Sequence, residues 1–131
     1  MSQENVEIVR GIYRATGPEE DFYAILDEDI EWDATNTRAP DAGVYRGLPA
    51  FKRAYGAWRS AWDCYEVTAD EVMEAGDSVV AITRQRGRGR QSGISVDQPM
   101  VAVYTFRNRK VVRFGVYATK AEALEAVGLS E

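Results

Sequence analysis

Arg84, Arg86, Arg88 and Arg90 alternate along one strand-like run and so share a face, with Arg113 available beside them. Such a row can grip an anionic ligand through paired hydrogen bonds, or pair with acids on neighbouring strands or across a dimer. Its plainer reading is a solvated sheet face carrying long side chains. Five rings form the second set: Trp32, Trp58, Trp62, Tyr104 and Tyr117. Each offers broad apolar area with one polar edge, which suits a pocket for a flat hydrophobic ligand, and Arg84 is placed with them as a polar contact. The same rings sit at helical and strand spacings that equally suit an ordinary core. Gly87-Arg88-Gly89 is not a dinucleotide fingerprint, because the third glycine is misplaced and the segment is a hairpin arm, not a helix start.

What is missing narrows the chemistry further. The chain has no histidine, so histidine-based nucleophiles and proton shuttles are excluded, and zinc or non-haem iron lacks its usual ligand. No metal and no cofactor are expected. The single cysteine, Cys64, cannot form an internal disulfide and reads as a small buried hydrophobe at the head of a strand. Sixteen basic against twenty-one acidic residues give a net charge of −5, which disfavours nucleic acid as a partner. No apolar run approaches the roughly 20 residues of a membrane helix. The opening Met1-Ser2-Gln3-Glu4-Asn5 has neither a cationic start nor an apolar stretch behind it, which predicts no signal peptide and a cytoplasmic protein. At 131 residues, 45% of them hydrophobic, the chain suits one domain over 1–131.

The elements that must position these residues follow from periodicity. Tyr65 to Tyr117 reads as four consecutive strands. Tyr65, Val67, Ala69 and Met73 recur at period two, and Gly76-Asp77, Ser92-Gly93 and Arg107-Asn108-Arg109-Lys110 mark the turns. Upstream, Ser2 caps a first helix carrying Val6, Val9 and Tyr13, and Pro18 opens a short second helix with Phe22, Ile25 and Leu26 inward, ended by Asp27 to Asp29. Ile30 to Ala34 alternates as a short strand, and Thr35 to Arg46 is the longest loop, with Asp41 and Tyr45 as candidates for a pocket mouth. Leu48, Phe51, Tyr55, Trp58 and Trp62 then form an aromatic stripe at helical spacing, the face expected to lie across the sheet. Thr119-Lys120-Ala121-Glu122 is a capping box for a last helix stopped by Gly128. The class is α+β: one short and four long strands in a mostly antiparallel sheet, three helices in the N-terminal half, and one C-terminal helix.

With this order of elements, the stretches Tyr45-Arg46-Gly47, Gly76 to Val80, Arg86 to Gly93 and Glu122 to Leu129 make the chain resemble a SnoaL-like member of the nuclear transport factor 2-like superfamily. The resemblance implies a cone, a curved sheet wrapped over helices with a pocket between them, and commonly a homodimer through the outer face, for which Val101 and Val103 offer local support. With the rings favouring an apolar guest, the expected ligand is a small hydrophobic molecule, cyclic or aromatic, while the resemblance implies no single activity, since the superfamily holds isomerases, dehydratases, epoxide hydrolases, cyclases and binders without chemistry. Carried over from the ketosteroid isomerases, Tyr13 takes the place of the phenol that donates to a substrate oxygen, and Asp33 that of the general base. Against Asp33, alternation turns it away from the pocket if Trp32 faces in. The isomerases' second acid falls near Ala102, which cannot donate; the cyclases' late acid has no counterpart in the last strand. An epoxide hydrolase's trio would need Asp33, Arg84 or Arg113, and Asp97 together. The two readings are thus a binding protein, and a metal-free proton-transfer enzyme using Asp33 and Tyr13.

Overall fold

The computed structural model describes residues 2–14, 22–33 and 43–128. Helix α1 (Ser2–Arg14) buries Val6 and Val9, and Tyr13 follows on the same side, four residues after Val9. Strand β1 (Leu26–Asp33) begins earlier than its alternation suggests. Phe22 and Tyr23 are helical, but Leu26 already pairs with Val111 as sheet, and the pairing is irregular between Leu26 and Glu31. There the Asp27 carboxylate accepts from the Asp29 amide at 2.9 Å, a local turn that conceals the period of two. Most of the second helix expected from Pro18, together with Ala34, Asp41 and the greater part of the long loop, lies outside the described residues.

Strand β2 (Val44–Arg46) replaces the end of that loop, pairing antiparallel with β1 so that Tyr45 stands opposite Trp32. Three residues are too few to show an alternation, which is why the sheet has six strands where five were expected. Gly47, at φ 86°, supplies the left-handed backbone that turns the chain into helix α2 (Leu48–Ser60), with Pro49 in its first turn. The helix ends before Trp62, so the last ring of the expected helical stripe instead opens strand β3 (Trp62–Ala75).

Strands β3, β4 (Ser78–Gly89), β5 (Ser95–Arg107) and β6 (Lys110–Tyr117) run antiparallel as a meander, and β6 closes on β1 in parallel, giving the order β2-β1-β6-β5-β4-β3. Consecutive left-handed residues, Asn108 and Arg109, make the tight β5–β6 hairpin turn. Two register shifts interrupt β3, one between Asp63 and Glu66 and one between Ala69 and Glu71. The second exchanges the faces beyond it: Val72 packs into the inner cluster and Met73 into the outer one, contrary to the simple alternation. Cys64 falls in the first shift with φ 57° and is exposed, not buried, because the bulge turns it out of the pleat.

The sheet therefore has two distinct faces. On the inner one, Trp32, Val79, Ala81, Ala102, Tyr104 and Phe114 pack with α1 and α2, around Phe51, which is fully buried. On the outer one, Val80, Val101, Val103 and Tyr117 pack against Ala123 of helix α3 (Lys120–Ala126). Thr119 caps that helix as expected, its hydroxyl accepting from the Glu122 amide and donating to the Glu122 carboxylate at 3.0 Å. Val101 and Val103, at 2% and 5% exposure, are covered within the chain and so offer no apolar patch for a partner. Among the described residues, no helix is long and apolar enough to cross a membrane.

Candidate functional site

Every second residue of β4 from Val79 to Gln85 belongs to the inner face, and this alternation decides which polar groups can meet a guest. Arg84, Arg86 and Arg88 occupy the positions between and stand outside, where Arg84 reaches Asp97 at 2.9 Å and Arg88 reaches Asp63 at 3.2 Å. Arg90 lies past the strand and donates to the Trp62 carbonyl at 3.1 Å. The arginine row is thus a paired outer surface, and Arg84 does not line the interior.

Asp33 and Trp32 divide in the same way. Trp32 packs inward, its ring 5.3 Å from Phe51 and 5.3 Å from Tyr45. Asp33 consequently faces out, where Arg113 holds its carboxylate at 3.0 Å. Tyr117, opposite Val101, is likewise an outer residue packed near α3. The outer face does carry the carboxylates and arginines of the supposed trio, but not together. Arg84 pairs across to Pro99 and Arg113 to Thr105, positions about 20 Å apart along β5 at the usual strand rise.

The interior is built from phenols and indoles instead. The Tyr13 and Tyr104 hydroxyls, brought together from α1 and β5, share a hydrogen bond of 2.6 Å with their rings edge to face. Burial pushes the Tyr13 phenol well above its ordinary value, the Tyr104 bond offsetting a little of this, and burial does the same to Tyr104 with the Tyr13 neighbour adding to it. Both stay protonated near neutrality, able to donate to a guest's oxygen and unable to act as bases. Tyr55 and Tyr65 contribute electrostatically to both phenols, so the four belong to one inner region.

Beside them stands a wall of three half-buried rings. Trp58 lies 5.2 Å from Trp62, and Trp62 lies 5.4 Å from Tyr65. Arg59 sits over the other ring, 4.9 Å from the Tyr65 centroid. Behind the wall, the Tyr65 hydroxyl donates to the Gln85 side-chain carbonyl at 2.8 Å. Burial pushes the Tyr65 phenol up to about 12, partly countered by Trp58 and Arg59. Gly87 keeps the wall close to the sheet, since a Cβ there would lie 3.0 Å from the Trp62 ring and 3.2 Å from that of Tyr65.

Of the residues singled out from sequence, the structure brings Tyr13, Trp32, Trp58, Trp62 and Tyr104 to the inner side and leaves Asp33, Arg84 and Tyr117 on the other. Gln85 was missed, although the alternation that displays Arg84 and Arg86 outward already implies it. Among the described residues no cluster of three or more acids or cysteines is arranged to hold a metal ion.

Comparison with known proteins agrees with this architecture. The SnoaL-like domain family matches residues 11–114. An NTF2-like protein from Burkholderia thailandensis E264 is 26% identical, with 93% of this chain and 95% of that one covered and a TM-score of 0.77. A protein from Jannaschia sp. CCS1 with the working assignment of SnoaL-like polyketide cyclase is 17% identical over 99% of this chain and 95% of its own, also at a TM-score of 0.77. TerC, co-crystallised with polyporic acid, is 18% identical over 95% of this chain and 98% of its own, at a TM-score of 0.71. No curated protein matches the sequence.

Proposed function

Since the chain belongs to the SnoaL-like domain family, we propose that its cone binds a small, flat, hydrophobic molecule, cyclic or aromatic, without transforming it. The observation that carries this is the half-buried wall of Trp58, Trp62 and Tyr65 beside the paired Tyr13 and Tyr104 hydroxyls. Rings at such spacing offer stacking area to a planar guest, while phenols that keep their protons offer donors and no general base. The co-crystallisation of TerC with polyporic acid lends the reading support by analogy. The proton-transfer alternative with Asp33 as base gains nothing from a carboxylate held by Arg113 on the opposite face from Tyr13. A cytoplasmic location belongs to the proposal, and homodimerisation is carried into it from the family resemblance alone.

Calorimetric titration with 2-acetylnaphthalene and its hydrocarbon analogue 2-ethylnaphthalene tests the reading. Wild type is expected to bind both. Trp58→Ala removes a ring of the wall and weakens both about tenfold, as truncation of an aromatic anchor does. Asp33→Asn leaves both affinities within twofold. Failure of wild type to bind either compound, or equal losses in the two variants, would overturn the proposal.

A further inference from the structure

Gln85 is 1% exposed, and its side-chain Nε2 has no hydrogen-bond acceptor among the described residues. Its carbonyl is already engaged by Tyr65, which is itself part of the ring wall. A buried primary amide with two N–H donors and nothing to receive them is costly, and native structures seldom retain one without a use. The Trp62 indole N–H is a second buried donor in the same condition, on the ring that packs against Tyr65. Both adjoin Tyr65, Gln85 through its carbonyl and Trp62 through its ring, and both lack the same thing: an oxygen acceptor.

Resting on the binding reading above, we infer that Gln85 is the specificity-determining residue of the cone, its amide donating to a carbonyl oxygen on the ligand, which is therefore a cyclic or aromatic ketone and not a hydrocarbon. The Tyr65 hydroxyl fixes the amide's orientation by donating to its carbonyl, which leaves the N–H groups turned toward the guest. Gly87 contributes by letting Trp62 and Tyr65 lie against the strand two residues beyond Gln85. An apolar guest of the same outline would stack on the wall and leave the amide unsatisfied. Such a site discriminates strongly, because the analogue lacking the acceptor leaves its buried donor unpaired.

The two probes already named differ in one carbonyl group. Wild type is expected to prefer 2-acetylnaphthalene about tenfold over 2-ethylnaphthalene, the scale of one buried hydrogen bond made or left unmade. In Gln85→Met, which keeps the length of the side chain and removes the amide, the preference should fall to about twofold or less while hydrocarbon affinity is retained. Should that variant fail to fold, the wild-type side-chain amide proton signals of Gln85 give the same answer by NMR. They are expected to move downfield with the ketone and to stay in place with the hydrocarbon. A ketone preference that survives in Gln85→Met, or amide signals that respond alike to both probes, would overturn the role of Gln85 while leaving the binding reading intact. Absence of any binding to wild type would remove both.

Discussion

Removing one oxygen from the Tyr13–Tyr104 pair tests whether the inner region is as dry as its geometry implies. The hydroxyls are 2.6 Å apart, and Tyr104 is only 2% exposed. Changing either tyrosine to phenylalanine leaves the ring and its packing in place but strands the other hydroxyl. A buried polar group left without a partner costs about 1 to 3 kcal/mol, whereas removing both partners together is nearly neutral. The singles should also be unequal. Tyr13→Phe strands the hydroxyl of the more deeply buried residue and should lie near the upper end, and Tyr104→Phe near the lower. The double variant should cost less than either, so single losses of about 3 and about 1 kcal/mol correspond to a coupling of at least about 3 kcal/mol across the cycle. Urea unfolding resolves this, because a slope of about 2 kcal/mol per molar turns each kcal/mol into about 0.5 M of midpoint. If the double variant instead shows the sum of the single losses, or the singles cost nothing, the hydroxyls are solvated and the argument for a water-excluded interior fails.

Two further outcomes follow from the same region. Gly87→Ala forces the Trp62 and Tyr65 rings away from the sheet, because the new Cβ would start 3.0 Å and 3.2 Å from them; stability should drop by about 1 to 3 kcal/mol with a shifted tryptophan emission, and unchanged values for both would show that the wall is loose. Raised phenol pKa values mean that the unfolded chain loses these protons first. Their contribution to stability is therefore complete below about pH 10 and lost as pH rises through the folded value, about 12 for Tyr65. Absorbance at 295 nm should accordingly show Tyr13, Tyr65 and Tyr104 ionising only as the protein unfolds in alkali, and full reversible titration of every tyrosine in the folded state would contradict it.

Much of the architecture was legible because period-two patterns survive wherever pairing is regular. Val101 and Val103 against Ala102 and Tyr104 divide cleanly between faces, and the arginines of β4 announce the outer surface. The pattern misleads where the backbone slips. Met73 changes face because a bulge precedes it, and Leu26 reads as helical because the turn at Asp27 interrupts its strand. The site was legible residue by residue but not as a set. Nothing local connects Tyr13 to Tyr104 across 91 residues, and only the fold makes them partners. Asp33 was ambiguous for a physical reason, since one dihedral step separates the pocket from the outer face, and Trp32, the larger hydrophobe, took the inner side. Gln85 was concealed by its own chemistry, as a polar residue between arginines resembles surface until the alternation is followed from the other side.

The two register shifts in β3 also bear on how the protein behaves at high concentration. Among the described residues, β3 is the terminal strand of the sheet, 14 residues long, with a free row of backbone donors and acceptors along one side. An edge of that length would ordinarily recruit a strand from a neighbouring molecule. Here the row is broken in two places and carries Asp63, Glu66, Asp70, Glu71 and Glu74, so no regular run long enough to zip onto a second copy remains, and two such edges repel one another. The irregularity that exchanged Val72 and Met73 thus also blunts an open edge, and deleting Asp70 would keep Val72 opposite Ala81 while lengthening the regular run that a neighbouring strand could pair with.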